Sequence, residues 1–115
     1  MNLRVFYFFE RRQELVLSTQ PRWVAGAWVG TQLLPRLEGE DDFIGLLDDA
    51  GNVLQILRDP GSGDYWTELP MPERRMSYGK VVSADGLIEL LGNLPRRFRP
   101  REFSDFRPQP WGSPP

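Results

Sequence analysis

Two reactive side chains are missing from this chain of 115 residues, which contains no histidine and no cysteine. Without histidine, it lacks the usual side chain for proton transfer near neutral pH. Without cysteine, it has no thiolate nucleophile and no disulfide framework, and so no sign of an oxidising compartment. Together, the two absences remove the side chains that most often bind zinc. We therefore expect a protein that binds a partner rather than an enzyme.

Long apolar runs are also absent. No stretch reaches the roughly 20 apolar residues that a membrane-spanning helix needs. The apolar run at residues 3–9 is short, and its charges, Glu10, Arg11 and Arg12, follow it instead of preceding it as in a signal peptide. These features predict a cytoplasmic protein without membrane association, although they leave secretion by a signal-free route open.

What is present is typical of one folded domain. Hydrophobic residues make up 40% of the chain and charged residues 26%, which are ordinary values for a globular protein. Seven Phe, four Trp and three Tyr argue against disorder. A chain of this length buries roughly two-thirds of its surface on folding, which is enough for a core without metals or disulfides.

Charge is distributed unevenly along the chain, although the net charge is only −2. Residues 37–57 contain no Arg or Lys but six acids: Glu38, Glu40, Asp41, Asp42, Asp48 and Asp49. Residues 96–107 contain five arginines and two acids. Such runs serve either as solvated loops or as docking surfaces, and the sequence leaves both interpretations open.

The clearest local pattern is a β-hairpin. Two apolar runs, residues 43–47 and 53–57, flank Asp48-Asp49-Ala50-Gly51-Asn52, whose residue types are those of hairpin turns. Residues 64–69 predict a third strand, which completes a meander. Residues 3–9 predict a central strand buried on both faces, because the run has almost no polar residues. Residues 14–18 predict the strand that returns from it.

The helix predictions are fewer. Leu87, Leu90, Leu91 and Leu94 lie on one helical stripe after a Ser83 N-cap, and Pro95 ends the pattern. Residues 23–34 are ambiguous between strand and helix, and two glycines within them favour a strand. We therefore predict an α+β fold: an antiparallel meander sheet of about four to six strands, with one C-terminal helix on a face. Residues 1–95 would form the single domain, and residues 96–115 an extended Arg/Phe/Pro-rich tail draped on it or partly flexible.

No catalytic, cofactor or metal site is predicted. The acid pairs lie in loops, where solvation keeps carboxyl pKa values ordinary. They also lack the spacing of a calcium loop. The glycine-rich turn at residues 59–64 lacks the lysine and the following helix of a phosphate-binding loop.

Two alternatives to protein binding remain. The tail Arg96–Arg107 interleaves arginines with phenylalanines, a pattern that can bind single-stranded nucleic acid by charge and stacking. A histidine-free nuclease would draw on Glu73, Arg74, Arg75 and Tyr78. Nucleic acid is nevertheless an unlikely partner for a chain of net negative charge. The second alternative is a structural subunit of a larger assembly.

The C-terminal half resembles a family. Its outline is Tyr65-Trp66 in a strand, Leu69-Pro70, Ser77-Tyr78-Gly79, Val82-Ser83 opening the leucine-striped helix, then Pro100 and Trp111. This order is similar to that of small bacterial immunity proteins of polymorphic and contact-dependent toxin systems, in particular the Imm1-like group. The likeness rests on order and spacing between residues 64 and 111. It implies tight, stoichiometric inhibition of a cognate toxin, often one with a basic cleft.

These observations predict a partner-binding site. We expect a protein partner with a basic surface, such as a cognate toxin, to be held by acids and anchored by aromatic residues. The predicted site residues are Glu38, Glu40, Asp41, Asp42, Asp48, Asp49, Tyr65 and Trp66.

Overall fold

The fold is an antiparallel sheet with helices on one face. The computed structural model describes residues 2–111. The eight strands are β1 (Asn2–Phe9), β2 (Glu14–Val16), β3 (Arg22–Ala25), β4 (Phe43–Leu47), β5 (Val53–Arg58), β6 (Tyr65–Met71), β7 (Met76–Val82) and β8 (Arg107–Pro110). Their order across the sheet is β2-β1-β4-β5-β6-β7-β8, and β3 pairs with β1 on the same side as β2. β1 therefore pairs with β4 on one side and with both β2 and β3 on the other.

Two short helices and several single turns complete the described chain. Helix α1 (Gly26–Trp28) continues as a π-helical turn (Val29–Leu33) and a 3-10 turn (Leu34–Arg36). Helix α2 (Ala84–Gly92) has Ser83 as its N-cap, and the Ser83 hydroxyl accepts a hydrogen bond from the amide of Gly86 at 3.1 Å. Further 3-10 turns lie at Pro72–Arg74 and Pro100–Glu102.

The predicted strand count was wrong. The sheet has eight strands, not four to six, and two short helices rather than one. Of the short strands, β2 was predicted at residues 14–18, β3 lies in the ambiguous segment and β8 lies in the predicted tail. β2 and β3 divide the edge of β1 between them, and β8 pairs with β7 despite Pro108 and Pro110. Proline is tolerated there because β8 is an edge strand, where one side of the backbone needs no ladder partner.

The ambiguous segment at residues 23–34 contains both structures. β3 ends at Ala25, and the chain turns into helix at Gly26, which lies against the backbone carbonyl of Leu91 in α2. An added Cβ at Gly26 would come within 2.7 Å of that oxygen, so the glycine allows the two helices to approach closely.

One face of the sheet carries the core. Alternate side chains of β1, β4, β5 and β6 point to this covered face and form one buried cluster with the helices and with Phe98, Phe103 and Phe106. The described part of the predicted tail, residues 96–111, thus contributes three core phenylalanines and a strand. Residues 112–115 lie outside the described residues. Within residues 2–111, no helix is long and apolar enough to cross a membrane.

Candidate functional site

The opposite face of the sheet is covered by no helix of residues 2–111, and it is rich in aromatic side chains. We call it the uncovered face. By the strand register, one row of apolar side chains crosses six strands of it: Leu15, Phe8, Phe43, Leu57, Trp66 and Val81. A second row contains Phe6, Gly45, Gln55, Glu68, Gly79 and Arg107, and a third contains Trp23, Arg4, Leu47, Val53, Pro70, Ser77 and Gln109.

This arrangement corrects the expectation that β1 is buried on both sides. Leu3, Val5, Tyr7 and Phe9 are buried on the covered face, whereas Arg4, Phe6 and Phe8 are only half-buried on the uncovered one. The sequence shows no polar alternation because both faces of β1 are apolar, yet only one of them is covered.

The exposed hydrophobic residues concentrate on this face. Leu15, Trp23, Val81 and Trp111 are exposed by 58%, 67%, 42% and 39%. All four belong to the uncovered face, with Trp111 held there by its indole N–H, which donates to the Ser77 hydroxyl at 2.8 Å. A contiguous apolar patch of this kind on a small protein marks an interaction site.

Two rings lie flat because glycines make room for them. The Phe6 ring lies across Gly45 on β4, and the Trp66 indole lies across Gly79 on β7. A Cβ on Gly79 would come within 2.7 Å of the Trp66 ring and of the Thr67 carbonyl oxygen. Large rings therefore cover glycines on neighbouring strands, which flattens the face and favours broad contact with another surface.

The polar groups at the centre of this face already have partners. The Glu68 carboxylate accepts hydrogen bonds from the Trp66 indole at 2.8 Å and from the Gln55 amide at 3.1 Å. The Arg4 guanidinium donates to the carbonyl of Asp48 and lies 5.9 Å from the Trp23 ring centre. These hydrogen bonds offset part of the cost of covering the two charged groups, which have no ion-pair partner in the described structure.

The structure separates the predicted site residues. Tyr65 is buried on the covered face, whereas Trp66 lies on the uncovered face, as adjacent strand residues must. The acids lie in two groups at opposite ends of β4: Glu38, Glu40, Asp41 and Asp42 precede it, and Asp48 and Asp49 follow it. Six residue steps along a strand put the two groups about 20 Å apart.

Two of these acids stabilise loops. The Asp42 carboxylate accepts amide hydrogen bonds from Gly39, Glu10 and Glu38 at 2.9–3.1 Å. Burial alone would raise the pKa of Asp42, but these hydrogen bonds and the charge of Arg11 outweigh it and leave the pKa below its usual value. Asp42 thus holds the loop before β4 against the hairpin that joins β1 to β2.

Asp48 has the same role at the other end of β4. One carboxylate oxygen accepts the amides of Ala50 and Asn52, and the other accepts the Asn52 side chain and the Phe98 amide, all at 2.8–2.9 Å. Burial would raise the pKa of Asp48, but these donors outweigh it and lower the pKa. Asp48 therefore closes the hairpin turn and attaches the C-terminal segment to it.

The remaining acids of the predicted site differ in whether they form ion pairs within the described chain. Glu38 lies 3.2 Å from Arg12 and 4.0 Å from Arg11, and Asp49 lies 3.8 Å from Arg96. Glu40 and Asp41 are exposed and form no ion pair within the described chain. They lie beside the apolar row, because Asp41 is two residues before Phe43 in that row.

The residues of the nucleic-acid alternative are also placed by the fold. Phe98, Phe103 and Phe106 are buried in the core, and Arg99 and Arg101 lie 3.1 and 3.7 Å from Glu102. Tyr78 packs against the core on β7, whereas residues 73–75 form an exposed turn, and no hydrogen bond joins the two in the described structure.

Other concave sites are less suited to chemistry. A groove of about 580 Å³ lies between α2 and residues 102–106, but its Glu102 is paired with arginines and its Asp105 lies 3.6 Å from Lys80. No group of three or more acids in residues 2–111 could hold a metal ion. The predicted site included Trp66 but not the rest of the uncovered face, because an apolar run such as residues 3–9 does not indicate which of its two faces the helices cover.

Comparisons with models of protein families, with curated protein sequences and with solved structures find no match to this chain.

Proposed function

We propose that this chain is a non-enzymatic protein-binding domain that inhibits a partner by covering part of its surface. The observation that carries the proposal is the uncovered face, where Phe6, Phe8, Phe43 and Trp66 surround polar groups that are already hydrogen-bonded. Interface centres are enriched in aromatic residues and depleted of charge. Binding energy also concentrates in a few large side chains, and tryptophan is among the most frequent.

The nature of the partner follows from the charges beside this face. Glu40 and Asp41 are exposed acids without an ion pair in the described chain, and they immediately precede β4, whose first residue, Phe43, lies in the apolar row. They would speed association with a partner whose apolar patch has a basic margin, since complementary charge acts mainly on the association rate. A cytoplasmic immunity protein facing a toxin with a basic cleft fits this description, and the resemblance of residues 64–111 to such proteins supports the same partner class.

Co-expression with flanking genes tests the proposal, because immunity proteins are encoded beside their toxins. Each flanking gene product would be expressed in a host cell alone and together with this chain. We expect one product to stop growth, this chain to restore growth, and the two proteins to co-elute as a 1:1 complex.

Two matched variants assign the surface. Val81→Glu adds a charge to the uncovered face at an exposed position, and Ile88→Glu makes the same type of change on α2, where Ile88 is 49% exposed. We expect Val81→Glu to weaken protection and Ile88→Glu to preserve it. The proposal fails if neither flanking product is toxic or bound, or if Ile88→Glu alone abolishes protection.

A further inference from the structure

We infer that, when its partner is absent, the uncovered face is covered by a second copy of this chain in a face-to-face dimer with two-fold symmetry. The inference rests on the proposed function, because it takes the same face as the binding surface. It adds that the free protein protects this face by self-association, so that a partner must displace the second copy.

The area of the face is sufficient for a stable dimer. Seven strand positions at about 4.8 Å spacing and strand lengths near 18 Å give a projected area of roughly 500–600 Å². The accessible surface of a side-chain layer exceeds its projection, so the face approaches the roughly 800 Å² that each partner buries in a standard interface. Permanent and homodimeric interfaces are also the more apolar classes, as this face is.

The edges of the sheet are poorly suited to association, which leaves the face. At one edge, β8 carries Pro108 and Pro110, which have no amide hydrogen to donate to an added strand. At the other edge, residues 17–21 separate β2 from β3 and end in Pro21, so the row of backbone groups is interrupted. Stacking of two faces about 10 Å apart, as in a β-sandwich, needs neither edge.

The order of the strands on the face is compatible with a closed two-fold interface. Arg4 lies on β1 and Glu68 lies on β6, and the order β1-β4-β5-β6 puts them on opposite sides of the line between β4 and β5. A two-fold axis along that line places β1 of each copy over β6 of the other. The rotation keeps each residue in its own row, so Arg4 lies over the other copy's Pro70 and Glu68 over its Phe6, and each charged group keeps the hydrogen bonds of its own chain.

The same rotation pairs apolar residues. The row with Phe8 and Phe43 on one half and Leu57 and Trp66 on the other would meet its own copy, so that Phe8 lies over Trp66 and Phe43 over Leu57. A second copy thus covers aromatic surface with apolar surface along the whole row.

Sedimentation velocity of the purified full chain from about 1 to 100 µM tests the inference, with tryptophan fluorescence as a second measurement. We expect a species of twice 13.3 kDa and an emission shift to shorter wavelength as concentration rises, because Trp23, Trp66 and Trp111 border the buried face. Val81→Glu should raise the dimer dissociation constant at least tenfold. Ile88→Glu, on the opposite side, should leave it unchanged.

A charge exchange tests the symmetry more sharply. Leu15→Lys and Val81→Glu should each disfavour the dimer by placing a charge against an apolar residue, but the double variant should recover it, because the two-fold rotation puts residue 15 of one copy over residue 81 of the other. Circular dichroism establishes that each variant is folded.

A monomer throughout this concentration range overturns the inference, as does a dimer that Ile88→Glu disrupts and Val81→Glu does not. The proposed function is judged separately, since a monomer that still protects cells through the Val81 face would refute the dimer alone.

Discussion

At the scale of single residues, the acidic stretch performs two different tasks. Asp42 and Asp48 accept several hydrogen bonds and hold loops, whereas Glu40 and Asp41 are exposed to solvent. All four have similar sequence surroundings. What distinguishes them is the position of amide donors from distant segments, such as Glu10 and Phe98, which only folding brings near.

The structural aspartates predict a stability loss in acid. Both carboxyls have folded-state pKa values below the ordinary value of 3.8, so their contribution is complete above about pH 4. It is lost as the pH falls through the folded-state pKa. Urea unfolding from pH 7 to pH 2 should therefore show a free energy of unfolding that falls steeply below about pH 4.

The variant Asp48→Asn isolates one of these groups. Its amide can satisfy either Ala50 and Asn52 or Phe98 but not both, so we expect a loss of about 2–3 kcal/mol at pH 7 and a shallower acid dependence. Asp49→Asn, at an exposed neighbour, should change stability by less than about 0.5 kcal/mol. An equal effect of the two variants would contradict the structural role of Asp48.

Replacing Thr67 is expected to increase the stability of the protein, in contrast to the replacement of Asp48. Its hydroxyl is fully buried on the covered face and has no hydrogen-bond partner in the described structure. Thr67→Val keeps the shape and removes the unpaired group, so we expect a gain of about 1 kcal/mol, or roughly 4 °C in Tm. Thr31→Val, at an exposed helical position, is the control. A lower Tm for Thr67→Val would show that the hydroxyl is paired.

At the scale of elements, the C-terminal segment is part of the core rather than an appendage. The Phe103 and Phe106 rings pack on the covered face of the sheet with their centres 4.9 Å apart and their planes inclined at 38°, and the Asp48 carboxylate accepts the amide of Phe98. The proline density of residues 96–110 prevents long helices, but it does not prevent short turns from placing aromatic side chains, and an edge strand accepts Pro108 and Pro110.

Truncating one of these rings measures that contribution. Phe103→Ala should lower the free energy of unfolding by about 3–4 kcal/mol, because it leaves a cavity in a packed core. Ser104→Ala, at an exposed neighbouring position, should change it by less than about 0.5 kcal/mol. Thermal and urea unfolding followed by circular dichroism would measure both. A small effect of Phe103→Ala would mean that the segment is only loosely attached.

At the scale of the whole molecule, charge and apolar surface are arranged together. The acids that precede β4 lie beside the apolar row of the uncovered face, whereas Asp48 and Asp49 lie at the other end of β4. The predicted acidic site is therefore divided in space, and one exposed part of it borders the surface that we propose as the interface.

Charge reversal at this margin tests the electrostatic part of the proposed function. Asp41→Lys should slow association with the proposed partner at low salt, with a smaller effect at high salt, and leave the dissociation rate almost unchanged. Asp49→Lys at the far end of β4 is the matched control. Equal rates for all three proteins in stopped-flow measurements would exclude these acids from the encounter.

Several elements were predictable because their determinants are local. The hairpin of β4 and β5, the Ser83 cap and the leucine stripe of α2 depend on turn residues and periodicity within about ten positions. The short strand β8 was not predicted and β3 was left ambiguous, because strands of four residues form only where a long partner strand supplies the hydrogen bonds.

The sequence by itself determined that no imidazole or thiol group is available, which local elements form, such as the hairpin of β4 and β5, and that residues 5–9 of β1 are apolar on both faces. Only the tertiary structure decided which face receives the helices, which acids find amide donors, and that Tyr65 and Trp66 point to opposite sides of the sheet. The physical reason is that burial and hydrogen bonding depend on contacts between distant segments, whereas composition and periodicity record only each segment's own preference.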